Sequence, residues 1–95
     1  MQKIFKYKVP YPDRDGLSRI TMPYGANVLS VGIQDKEIVI WALIWENNPE
    51  VEHVFLLINT GDEIIRDPGR FIGTVTIPLI IDIVWHIFDQ SREVY

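Results

Sequence analysis

Two long apolar runs, separated by two charged residues, fill positions 22–45, MPYGANVLSVGIQDKEIVIWALIW, and constrain the fold more than any other stretch. In the first run Asn27, Leu29, Val31 and Ile33 fall on one side of a strand, and Val28, Ser30, Gly32 and Gln34 on the other. One side is apolar, the other small and polar. In the second run Ile38, Ile40, Ala42 and Ile44 share one side and Val39, Trp41, Leu43 and Trp45 the opposite one, so both faces are apolar. A strand of that kind needs cover on both sides, within a two-layer fold or from another subunit. The alternative, a buried helix, is disfavoured by the β-branched Ile38, Val39, Ile40 and Ile44 and by a length of only about two turns. With Asp35 and Lys36 as the break, the stretch reads as a central hairpin.

The flanking segments carry the same signature. Positions 3–9 alternate, with Phe5, Tyr7 and Val9 opposite Ile4, Lys6 and Lys8, and stop at Pro10. YPDRDG is a turn-rich connection to a short strand at 17–22, and Pro23-Tyr24-Gly25 leads into the hairpin. Beyond the polar loop ENNPE, strands are expected at 51–58, 70–77 and 79–88, with Pro78 separating the last two. The connection NTGDEIIRDPGR has room for one short helical turn, and the tail DQSREVY is polar enough to fray. About seven strands without a long helix predict an all-β fold, a single antiparallel sandwich or small barrel spanning residues 1–95. A mixed fold with one short helix is the alternative.

A chain of 95 residues has room for one core, yet 47% of its residues are hydrophobic. That surplus predicts a homo-oligomer, dimer or tetramer. No cysteine is present, which excludes a disulfide framework, a thiolate metal site and a cysteine nucleophile, and fits a reducing cytoplasm. Neither a signal-peptide core nor a membrane-spanning apolar segment is visible, so no membrane association is expected. A net charge of −4 argues against duplex nucleic acid as a partner. The first 20 residues nevertheless sum to +3, a local surplus suited either to a small anion or to guarding a sheet edge.

Catalytic signals are poor. His53 and His86 lie on separate expected strands with no spacing that suggests a metal site, and no cofactor is implied. Asp82 could act as a base only with a partner in reach; His86 shares its strand face but lies about 13 Å away. Asn59-Thr60-Gly61 can be read as an oxyanion cradle or as an ordinary turn. Most aromatics, Trp41 and Trp85 among them, alternate with aliphatic residues as core side chains do, whereas Tyr7, between Lys6 and Lys8, is the best placed to stack on a ligand from solvent.

The segments IFKY, MPYGANVLSVGIQ, WALI, NTGDEI, FIGTV and VWHIF, in this order, resemble a family of small proteins of about 90 residues found in phage genomes and prophages, whose pattern is KY, MPxGAxILSVQxQ, WALV, GTG, YIGT and VxHVFE. The likeness runs over nearly the whole chain, departing at Asn59, where the family has the first glycine of GTG, and at Asp89, where it has glutamate. It implies a phage nucleotide sponge: an oligomer in the cytoplasm of an infected bacterium that sequesters cyclic nucleotide signals of anti-phage defence without turning them over. On that reading Tyr7 and Trp41 line the pocket, Lys6, Lys8 and Arg70 meet phosphates, and Gln34, Thr60, Gly61 and His86 offer hydrogen bonds. Two other classes stay open: a protein-interaction or virion accessory module, and a nucleotide hydrolase using Asp82 or His86.

Overall fold

A computed structural model describes residues 1–90 and contains seven strands and no helix: β1 (Gln2–Lys8), β2 (Leu17–Pro23), β3 (Asn27–Gln34), β4 (Glu37–Trp45), β5 (Glu50–Asn59), β6 (Arg70–Ile77) and β7 (Ile83–Asp89). They form two antiparallel sheets, β1-β4-β3 and β2-β5-β7-β6, stacked as a sandwich rather than a closed barrel. The helical turn expected in the long connection is absent; residues 60–69 are turn, bend and irregular chain. That connection carries the chain back alongside β7, so β5 and β6 run parallel on either side of it. The expected last strand begins four residues late, because residues 78–82 form a bend after Pro78. Of the tail, Asp89 is a buried β7 residue and the Gln90 amide donates to the Val54 carbonyl at 2.9 Å, while residues 91–95 lie outside the described residues.

The central hairpin forms as expected. Asp35 and Lys36 both have positive φ, 51° and 64°, the left-handed pair of a type I′ turn whose twist matches its flanking strands. Aspartate is a favoured residue at the first of these positions, whereas lysine is not favoured at the second, where glycine is preferred. Lys36→Gly is therefore expected to raise stability by about 1 kcal/mol, read as a higher urea midpoint at unchanged slope.

One feature of β3 departs from simple alternation. A β-bulge between Val28 and Ser30 shifts the phase, so Val28 joins Val31 and Ile33 against the core while Leu29 is exposed. β4 supplies Ile38, Ile40, Ala42 and Ile44 to the interior, facing Ile20, Met22, Phe55, Leu57, Trp85 and Ile87 of the second sheet. Its other face is not covered by another layer. Lys6 and Lys8 of β1 lie instead on that face and reach Gln34 (2.6 Å) and Glu37 (2.5 Å), and Val39, the register partner of Lys8, is only 5% exposed, while Lys3, opposite the inward Ile44, pairs with Glu46 at 3.0 Å. Trp41 lies over Gly32, where any Cβ would approach its ring to 3.0 Å.

Candidate functional site at one end of the sandwich

The order of the strands gathers four connections at one end: residues 9–16, the Asp35-Lys36 turn, the start of the 60–69 loop and the 78–82 bend. Between them opens a cavity of about 780 Å³. Its floor is the end of the core, Val9, Ile38 and Trp85, the last 7% exposed. Tyr11 stands over Trp85 edge to face, with ring centroids 5.8 Å apart and planes at 87°, yet is itself 85% exposed. Leu79 and Ile83 make an apolar lip, and Lys8, Lys36, Glu37, Asn59, Thr60 and Asp82 supply the polar rim.

The loop opposite Lys36 is held locally. Asp13 accepts hydrogen bonds from the Asp15 and Leu17 amides and from Arg19, and these, led by the Arg19 guanidinium, keep its carboxyl below the ordinary carboxylate range. Ser18 Oγ donates to the Pro10 carbonyl at 2.7 Å. Together these bonds pin both ends of the segment that carries Tyr11.

The residues singled out from the sequence do not converge on one place. Lys8 and Thr60 line the cavity. Lys6, Gln34 and Trp41 lie together on the outer face of the three-stranded sheet, with Lys6 directly opposite Trp41 in register. Tyr7 is no solvent-facing stacker: it pairs with Ile40 in register, turns inward and packs on the core, and burial, then the nearby Glu50 charge, raises its phenol above the usual range. Arg70 sits at the far end, donating to the Val28 carbonyl at 3.3 Å and facing Asp89 at 3.8 Å, so it ties β6 to β3 instead of meeting a ligand at the cavity.

Asn59-Thr60-Gly61 is an ordinary tight turn, closed by the Asp62 amide on the Asn59 carbonyl, with Gly61 at φ 94°. The Asn59 amide donates to the Val84 carbonyl at 2.9 Å. Thr60 Oγ1 lies 2.8 Å from His86 Nε2, and Thr74 Oγ1 lies 2.8 Å from Nδ1, so hydroxyls hold both ring nitrogens. Asp82 lies in the bend before β7 and makes no ion pair among the described residues. No group of three or more potential metal ligands occurs among them.

Tyr11, Lys36, Leu79 and Ile83 were missed as site residues. The available signals were Tyr11 sitting among turn residues, outside any apolar run, and Asp82 interrupting, shortly after Pro78, the apolar run expected as a strand at 79–88.

No helix among the described residues is long and apolar enough to cross a membrane. Neither a curated protein nor a solved structure matches the chain. Residues 1–94 match a domain of unknown function, DUF7352, and the chain belongs to that family.

Proposed function

We propose that this protein is a phage sponge that binds a cyclic nucleotide of bacterial anti-phage defence at the end cavity and holds it without chemical change. The observation that carries this reading is the composition of the cavity: an aromatic pair and an apolar floor in about 780 Å³, with two lysines on the rim. That volume suits a small ligand, the Tyr11 ring offers a face to a base, and Lys8 and Lys36 can meet phosphate. Lys36 adds a second argument. A lysine at a left-handed position is the costlier choice for a hairpin turn, and such strain is characteristic of positions that serve a ligand. Holding the ligand without turnover is supported by His86, whose two ring nitrogens are both engaged by hydroxyls, those of Thr60 and Thr74.

The test is a thermal-shift screen against cyclic mono-, di- and trinucleotides, with mass analysis of the recovered ligand. At one hundred times Kd a ligand adds about 2.7 kcal/mol, which for a domain of this size raises Tm by roughly 10–20 °C. Replacing both Lys8 and Lys36 with alanine should weaken binding about tenfold or more, at roughly 1 kcal/mol per lost phosphate contact. Absence of any shift, with one phage or host protein co-purifying, would replace this reading with the interaction module. A hit recovered as linear product would make the protein a hydrolase.

A further inference from the structure

The bend at residues 78–82 is the most exposed apolar segment of the described chain. Ile80 is 104% exposed and Ile81 79%, with Leu79 beside them on the cavity lip and Tyr11 across the mouth. Apolar exposure of this extent lies at the upper end of what monomers carry and marks an interaction site. We propose that this bend is the surface through which two copies of the chain join about a two-fold axis, each copy's Ile80 closing the other's cavity.

Two observations select a second copy as the occupant. The first is area. Fully covering these four residues removes roughly 600 Å² from each copy, below the roughly 800 Å² of a standard interface but above the roughly 500 Å² per partner that a biological contact needs, so the patch suits a weak dimer. The second is charge. Lys8 is paired with Glu37 inside each copy, whereas Lys36 and Asp82 make no ion pair among the described residues. One cation and one anion on the same rim are self-complementary under a two-fold: with no ligand bound, each Lys36 can face the partner's Asp82. An anionic membrane surface would be met better by a rim of cations alone.

Mouth-to-mouth joining has a consequence for the site. Leu79 and Ile83 on the cavity lip are 53% and 37% exposed, and the partner's bend covers them as a further wall, so the site is complete only in the dimer. This last step rests on the nucleotide reading for what the enclosed space holds, but the contact itself does not.

The experiment is sedimentation equilibrium of the whole chain, without ligand, for the wild type, Ile80→Asp and Leu29→Asp. Position 80 is fully exposed, so the fold should survive its substitution, with circular dichroism and Tm as checks and Ile80→Ser as the milder variant. Leu29, on the outer face of β3, is the control for a different exposed apolar residue. The expected result is a wild-type dimer, unchanged by Leu29→Asp and weakened at least tenfold by Ile80→Asp or Ile80→Ser. A wild type that stays monomeric at about 100 μM, a dimer sensitive only to Leu29→Asp, or a monomer that floats with phosphatidylserine vesicles through Ile80 would each overturn the contact. A dimer that binds no cyclic nucleotide would leave the contact standing and remove the ligand. Equal nucleotide affinity in the wild type and Ile80→Asp would overturn the closure of the site.

Discussion

Gly69→Ala should destabilise the protein by about 3 kcal/mol or more, the largest loss expected from adding a single methyl group. Gly69 has φ 87°, and a Cβ built there overlaps the Asp89 backbone carbonyl and comes within 3.2 Å of the Gln90 Cα. Alanine in a left-handed conformation costs about 1–2 kcal/mol, and forcing apart two packed segments adds roughly 1–3. The neighbour cannot yield cheaply. Asp89 is the last residue of β7, paired on one side with Phe55 and on the other with Arg70, so moving its carbonyl disturbs both ladders. Gly61→Ala is the matched control, because Gly61 has φ 94° but nothing within 4 Å of a built Cβ. It should lose only the conformational part, about 1 kcal/mol. Urea unfolding of the two variants separates the terms, and equal losses would show that the close approach of the 60–69 loop to β7 does not exist in solution.

Trp85→Ala is expected to cost about 3–5 kcal/mol, a large fraction of what a domain of this size possesses. Trp85 is at once the end of the core and the floor of the cavity, so its loss opens one into the other. Trp85→Phe keeps an apolar ring against Val9 and Ile38 and should lose much less. To separate packing from binding, Tyr11→Ala is the informative companion. The ring is mostly exposed and its contact with Trp85 is worth about 1 kcal/mol, so the fold should persist. Stacking on a base contributes roughly 1–3 kcal/mol, so nucleotide affinity should fall tenfold or more. Unchanged affinity in Tyr11→Ala would remove the aromatic wall from the site and with it the main support for a nucleotide there.

The strands were legible because their determinants are local. β3 and β6 begin and end where alternation and turn residues place them, and five others deviate at one end or both by a residue or more. The largest deviation, at β7, arose where Leu79, Ile80, Ile81 and Ile83 keep an apolar pattern through a bend. Periodicity reports where apolar groups lie along the chain, and it does not distinguish apolar groups that are buried from those left exposed. The β3 bulge is a second case, since one extra residue reverses which of Val28 and Leu29 faces inward without altering the composition of the run.

The candidate site was much less legible. Lys8 and Thr60 belong to it, but Tyr7, one residue before Lys8, points to the opposite face of the sheet, and Lys6 and Lys8 are drawn across β4 to partners on β3 and β4. A basic, aromatic strand looks like a ligand platform until its neighbours are known. By itself the sequence determined the all-β class, the central hairpin and the apolar excess, because side-chain alternation and turn chemistry act within a few residues. Tertiary structure decided the partners of the lysines, the inward turn of Tyr7 and the meeting of Tyr11, Lys36 and Trp85 at one mouth. Those depend on which strands become neighbours, and residues 11, 36 and 85 share a surface only once two sheets have stacked and their connections have gathered at the same end.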